Sequence, residues 1–384
     1  MKTKSIIFST GLAMFSMFFG SGNLVFPLLV GQMSQGHYAM AATGIILTGV
    51  FVPFLGIFAM FLFNGDQHEF FGRLGKPAIF WLPLFAISIM GPFGVLARCI
   101  TVAHGTFLLI FPDTPLWLFS IFACVVLFLL AMRKNTIVPI LGSILTPILI
   151  LSLVAIVFSV ITSVEFPVIT GGKEAGWTSF KQGVSQGYQT MDLLAAFFFS
   201  VFVIKHLKKR TESTENSTRF LSIFLKSSLF GGALLSIIYF FLVLMGSMYA
   251  ADLVQIPAQK MLGLVAQKAL GSIAAPIVCV AVILACMTTA VVLTSLFADF
   301  LKKEISKHRI SHSVALTTTL VIAFFVSTLE FSGIAKIISP ILEICYPALI
   351  VLAVLSIFQK LWGWKMLRTP TIITFFLKLL ALKS

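Results

Sequence analysis

Hydrophobic residues along this chain fall in long blocks, at 5–31, 39–63, 78–111, 115–132, 137–163, 177–204, 221–249, 270–301, 311–329 and 332–358, with a weaker block at 370–382. A bilayer-crossing helix needs roughly 20 apolar residues, so the pattern predicts ten spans and a short eleventh hydrophobic segment. Two blocks are interrupted in the middle. In the first, Phe18-Phe19-Gly20-Ser21-Gly22-Asn23-Leu24-Val25-Phe26-Pro27 places two glycines, a serine, an asparagine and a proline at mid-block. Glycine lets the backbone leave the helical region, and proline has no N–H to donate. Backbone freed at membrane depth must be buried in protein or line a polar cavity. Residues 20–23 therefore read as a break between two half-helices and as one wall of a binding site. A small-residue patch for close helix packing is the alternative.

The sixth block repeats the interruption. Its centre reads Gly183-Val184-Ser185-Gln186-Gly187-Tyr188-Gln189-Thr190-Met191-Asp192, ahead of a very apolar run at 193–203. A carboxylate near mid-membrane is costly and normally faces a cavity or a partner. Asp192 is also placed to cap a half-helix starting near Leu193, and that reading too implies a broken span. Five crossings separate the two interrupted blocks, so a second five-helix unit would enter the membrane from the opposite side. Paired broken helices in corresponding positions of two halves point to the binding site of a secondary transporter. The expected division is a first repeat at 1–163, an inverted repeat at 164–358 and a carboxyl-terminal segment at 359–384.

The composition, 59% hydrophobic and 10% charged, excludes a water-soluble domain and predicts an all-α polytopic membrane protein. The formal charge of +14 suggests nucleic acid only until the basic residues are placed. They sit in short loops: Lys2 and Lys4, Arg73 and Lys76, Arg133 and Lys134, Lys205 to Arg219, Lys302 to Arg309, and Lys360 to Arg368. The alternate loops hold only Lys173, Lys181, Lys260 and Lys268. This bias predicts a cytoplasmic amino terminus in the cell (inner) membrane, with the lipid bilayer and not nucleic acid as the partner. The five cysteines lie inside apolar blocks, with no disulfide framework or CxxC metal site. Met1-Lys2-Thr3-Lys4 before an apolar run mimics a signal peptide, but the run is long and lacks a small-residue cleavage site, so it is expected to stay as the first span. No Walker loop, zinc-binding pair, nucleophile elbow or dinucleotide fingerprint is present, so neither an enzyme nor an organic cofactor is expected.

The eighth block carries Ala285-Cys286-Met287-Thr288-Thr289 at its middle. Two adjacent hydroxyls offer hard oxygen ligands for a small cation. Equally, threonines in membrane helices bond the carbonyl three or four residues back. Arg98, after Gly91-Pro92 in the third block, needs an anion or water, and Asp192 and Glu343 are the candidate partners.

Residues 11–27 closely resemble the first-helix motif of the branched-chain amino acid:cation symporters (the BrnQ, or LIV-II, family). Gly187-Tyr188-Gln189-Thr190-Met191-Asp192 resembles that family's GYxTMD motif, and Gly91-Pro92 with Ala97-Arg98 its third-segment pattern. The resemblance covers nearly the whole chain. It implies sodium-coupled uptake of leucine, isoleucine and valine on a LeuT-like fold of two inverted five-helix repeats with discontinuous helices 1 and 6. Family members usually carry a further helix and a second proline near Tyr346-Pro347-Ala348, so the last helices here are expected to be reduced. On this basis the amides of Gly20, Ser21 and Gly22 would hold the substrate carboxylate. Acceptors near Phe18 and around Tyr188, Gln189, Thr190, Met191 and Asp192 would hold its ammonium, and apolar side chains of blocks 3, 6 and 8 its tail. Sodium would lie among the carbonyls of Ser16 and Phe19 with Ala285, Thr288 and Thr289. Asn23 and Thr190 match a second sodium position of some fold members. A hydroxyl-and-carbonyl shell favours Na+ over H+, while Asp192 keeps proton coupling open. The competing readings are another neutral amino acid or a small amine as cargo, or a membrane subunit that binds ligand without translocating it.

Overall fold

The computed structural model describes residues 3–132, 150–162, 173–211, 217–271, 274–364 and 366–381. Within them every hydrophobic block contains helix. The first block forms α1 (Thr3–Phe18) and α2 (Ser21–Met33), and the second forms α3 (Tyr38–Leu62). After the short α4 (Gln67–Gly72), the third block forms α5 (Ala78–Met90) and α6 (Val95–Phe107), interrupted at residues 91–94. The next helices are α7 (Leu116–Met132), α8 (Ile150–Thr162), α9 (Lys173–Tyr188) and α10 (Asp192–Thr211). They are followed by α11 (Ser217–Met248), α12 (Met261–Leu270), α13 (Ala274–Phe300), α14 (His312–Ser327), α15 (Glu330–Trp362) and α16 (Arg368–Ala381). The first part of the fifth block, 137–149, lies outside the described residues, as do Lys2, Arg133, Lys134 and Lys365.

Five helices are long and apolar enough to cross a membrane, and two bent pairs each add one broken span among the described residues. The bends are 73° between α1 and α2, and 44° between α9 and α10. The two interrupted blocks are therefore the two broken ones. Each half-helix must bury its faces against a straight neighbour: α9 lies along α3, α2 along α11, and α6 along α13.

Small residues set these distances, because lipid offers no hydrophobic drive to bring helices together and backbone contact must do it. A Cβ at Gly183 would stand 2.2 Å from the Ala41 carbonyl oxygen, and one at Gly44 2.3 Å from that of Phe180. The α3–α9 contact thus runs backbone to backbone. At its middle α3 contains a π-helical turn, Leu47–Phe51, from which the Thr48 hydroxyl donates to the Val184 carbonyl at 2.9 Å. Such turns recur at functional sites, and this one lies beside the α9–α10 break, with Gly49 packed on Tyr239 and Thr190.

At the membrane face, α4 ties the bundle to its end. Glu69 accepts from Arg73 and Lys360, both at 2.9 Å, and Arg368 Nε donates to the Arg73 carbonyl. The Lys360 hydrogen bond, ahead of the Arg73 one, holds the Glu69 carboxyl below its usual range. These pairs stand above the ordinary carboxylate pKa and are lost as pH falls through the lowered one. Being partly exposed, they position α4 against the end of α15 more than they stabilise the fold.

Replacing Gly183 by valine should separate α3 from α9 and lower the melting midpoint of the purified chain in detergent by several degrees. Gly232→Ala, whose Cβ would meet only the Phe54 ring at 3.6 Å, should leave it unchanged.

Candidate functional site

The first break is two residues long, Phe19 and Gly20. Phe19 N–H still donates to the Phe15 carbonyl at 2.9 Å, Gly20 is extended (φ −123°, ψ −163°), and α2 starts at Ser21. Ser21, Gly22 and Asn23 are thus the first turn of the second half-helix and not part of the break expected at 20–23. The reason is Asn23, whose Oδ1 accepts the Gly20 N–H at 3.1 Å and closes that turn in the manner of a capping box. The Gly20 amide is therefore already engaged, contrary to the role expected of it. The Ser21 and Gly22 amides keep the position of first-turn groups without intrahelical acceptors. Pro27, inside α2, cannot donate to the Asn23 carbonyl four residues back, so that carbonyl also lacks its helical donor.

The second break spans residues 189–191. Met191 takes a left-handed conformation (φ +61°), uncommon for a residue with a Cβ, and Thr190 Oγ1 donates to the Gly187 carbonyl at 2.9 Å. The helix then resumes at Asp192, one residue before the expected start. The Asp192 carboxylate reaches across the bundle: it accepts from Asn23 Nδ2 at 2.6 Å and from the Tyr239 hydroxyl at 3.3 Å. Asn23 Nδ2 also lies 2.5 Å from the Tyr239 oxygen. A second tyrosine, Tyr346 of α15, accepts the Leu193 N–H at 2.9 Å and carries the Tyr188 ring at 4.9 Å. Asn23 thus serves both breaks, one with its oxygen and the other with its nitrogen.

The two breaks face each other at contact distance. A Cβ on Gly22 would lie 3.4 Å from Thr190 Cα, and one on Gly20 3.3 Å from Thr289 Oγ1 of α13. Between them is a cavity of about 30 Å³, room for a water or two. Phe18, Gly20, Ser21, Gly22, Asn23, Thr190, Met191 and Asp192 border it. Tyr188 and Gln189 do not: Tyr188 packs on Tyr346, and Gln189 faces a second, larger cavity. Met90, Val95, Ala195 and Leu293 supply aliphatic wall from blocks 3, 6 and 8.

Of the residues expected around a cation, Thr289 borders the cavity. Thr288 and Thr289 both donate to the Ala285 carbonyl, at 2.8 and 3.2 Å, which is the back-bonded arrangement. Their lone pairs remain free to accept or to ligate, whereas the Ala285 oxygen already takes two donors. Ser16 and Phe19 sit at the end of α1, within one turn of the same point.

Arg98 overturns a further expectation. It is 1% exposed and is paired with neither Asp192 nor Glu343. Nη1 donates to the Gln189 carbonyl at 3.0 Å and Nη2 to Gln189 Oε1 at 3.2 Å, while the guanidinium lies against the Phe26 and Phe331 rings at 5.3 and 5.6 Å. Glu343 instead accepts from Ser185 at 3.1 Å. The Gln189 carbonyl is freed where α9 ends, at the negative end of a helix dipole, so a cation is held there without a carboxylate.

Tyr239 and Tyr346 were not anticipated from the sequence. Their signal is scarcity: the chain has five tyrosines among forty phenylalanines, so a hydroxyl on an aromatic ring inside an apolar block marks a hydrogen bond to be made.

A family model described as branched-chain amino acid transport protein matches residues 2–383. The chain belongs to this family. Among curated relatives, the branched-chain amino acid permease BrnQ of Corynebacterium glutamicum is 29% identical over 365 residues, covering 94% of this chain and 82% of that one. Among solved structures, the inward-facing conformation of Mhp1 superposes with a TM-score of 0.63 at 14% identity, over 92% of this chain and 76% of that one. A manganese transporter of Eremococcus coleocola gives 0.53 at 13%, over 98% and 86%. These likenesses show the fold, which is the LeuT-like one expected from the resemblance. This member of the branched-chain amino acid transport protein family is a multi-pass membrane transporter, and its relatives and neighbours are transporters, not enzymes.

Removing the Tyr239 hydroxyl by Tyr239→Phe keeps the ring packing but leaves Asp192 with one fewer neutral donor. The cost should be about 1 kcal/mol, read as a lower melting midpoint in detergent. An unchanged midpoint would remove Tyr239 from the network.

Proposed function

We propose that this chain is a secondary active transporter that imports leucine, isoleucine and valine by symport with Na+, through alternating access, with its amino terminus in the cytoplasm. The observation that carries the reading is the pair of breaks in contact across a small cavity with polar backbone on two sides and aliphatic side chains on the others. The substrate carboxylate would take the Ser21 and Gly22 amides at the positive end of α2. Its ammonium would take the Asp192 carboxylate. A branched tail would lie among Met90, Val95, Ala195 and Leu293. One methylene changes binding in such a pocket by about 1–3 kcal/mol, which suits a carrier of three similar side chains. The cavity as it stands admits only a water or two, so loading requires the half-helices to separate, which supports a two-state carrier over a rigid receptor.

Na+ would lie where Thr288, Thr289 and the carbonyls at the end of α1 converge. A buried Asp192 whose hydrogen-bonding partners are neutral favours one second reading, coupling to H+ through that carboxyl.

Leucine uptake into proteoliposomes separates these readings. An imposed inward Na+ gradient should drive accumulation at constant pH. Accumulation driven only by a pH gradient would transfer the coupling to Asp192, and no uptake of any aliphatic amino acid would reject the cargo. Thr289→Val should raise the Na+ concentration for half-maximal uptake about tenfold or more, the loss of one charge-assisted contact. An unchanged Na+ dependence would remove Thr289 from the ion site.

A further inference from the structure

A second cavity, of about 330 Å³, opens on the side where α2 ends and α9 begins. Phe26, Gln189, Phe331, Lys336 and Ser339 are among the residues that border it. The layer between this vestibule and the central cavity is about one helical turn thick. Gln189 borders the vestibule and its neighbour Thr190 the central cavity; Phe26 borders the vestibule, and Asn23 one turn earlier the central cavity. Val95 lines the central cavity, and one turn further along α6 stands Arg98. The Phe26 and Phe331 rings meet at 5.6 Å and close the layer, with the guanidinium against both.

The manner in which Arg98 is held is unusual. Its two terminal nitrogens meet two oxygens of a single residue, the carbonyl and the side-chain amide of Gln189, in the side-by-side arrangement that a carboxylate offers a guanidinium. Gln189 Nε2 is in turn anchored on Ser339 Oγ at 2.9 Å. Arg98 Nε is buried without a partner among the described residues. A desolvated guanidinium held only by neutral oxygens is incompletely satisfied, and an anion reaching it would be the stronger partner. The one anionic group that must pass this layer, on the function proposed above, is the α-carboxylate of the substrate.

We infer that Arg98 is the latch of the neck between vestibule and central cavity. The carboxylate of an entering amino acid displaces both Gln189 oxygens from the guanidinium, releases the contact between the α9 end and α6, and passes inward, after which Gln189 returns. Arg98 is a positioning residue here, since the bound substrate rests on other groups. This inference depends on the proposed cargo, and the latch governs rates of entry and exit more than affinity.

Gln189→Glu gives the guanidinium a permanent carboxylate. In stopped-flow leucine binding to the purified full-length chain it should slow association and dissociation together by about tenfold or more, with Kd changed less than about threefold. Ser339→Ala, which removes the anchor of Gln189, should speed both rates. An unaltered association rate in Gln189→Glu, or a change in Kd without a change in rate, overturns the latch. A second readout needs no cargo. Ala195→Cys in the central cavity should react with a membrane-impermeant thiol reagent, applied to each face in turn and compared with the parent chain. The reaction from the vestibule side should be several-fold slower with Gln189→Glu and faster with Ser339→Ala. Equal labelling overturns the latch even if leucine proves not to be the substrate, whereas failed leucine binding with altered labelling overturns the cargo alone.

Discussion

A helix interrupted in the middle of a bilayer leaves peptide groups where no water can reach them, and every such group must find a partner within the protein. The centre of this transporter satisfies that constraint by setting two interruptions against each other. Asn23 caps its own half-helix with its amide oxygen and reaches the other break with its amide nitrogen. Arg98 takes the carbonyl released at the end of α9, and Tyr346 takes the N–H released at the start of α10. Asn23, Arg98 and Tyr346 are committed to these helix ends.

The same economy explains what is left for a ligand. Ser21, Gly22, Asp192 and Thr289 all border one small cavity, the first two with amides of a helix amino terminus. Charge is separated along it, with a helix amino terminus on one side and a carboxylate on the other, which complements a zwitterion. The straight helices behind them set how close the breaks lie while the cavity is closed. Glycines at 44 and 183 put α3 and α9 in backbone contact, and the second half of α3 packs along α10, so one helix backs both halves of the broken span.

Much of this was legible in the residues before any coordinates. The hydrophobic blocks located the helices, though only seven spans, two of them broken, pass in length among the described residues against the ten expected. Glycine, proline and a mid-block carboxylate located both interruptions. The aliphatic wall came from the blocks expected. What could not be read was which polar group meets which. The break at 20 is shorter than the run of small residues suggests, because Asn23 folds back and makes residues 21–23 helical. Arg98 looked in need of an anion, yet its partner is a carbonyl, and a carbonyl becomes available only once the helix end is known. Tyr239 and Tyr346 lie far from both breaks in sequence, and their roles depend on which faces of α11 and α15 turn inward. Adjacent threonines carry the same sequence signal whether they back-bond or ligate, and here they back-bond to Ala285 while keeping acceptor capacity.

The central claim is that the facing breaks together form one site for an amino acid whose occupancy is linked to a cation. It is tested most directly by leucine-binding isotherms on the purified chain at a series of Na+ concentrations and constant ionic strength. The account predicts that leucine affinity rises with Na+ and that Na+ affinity rises by the same factor with leucine, as linkage requires. Leucine binding of the same strength at every Na+ concentration, or none at any, would contradict it.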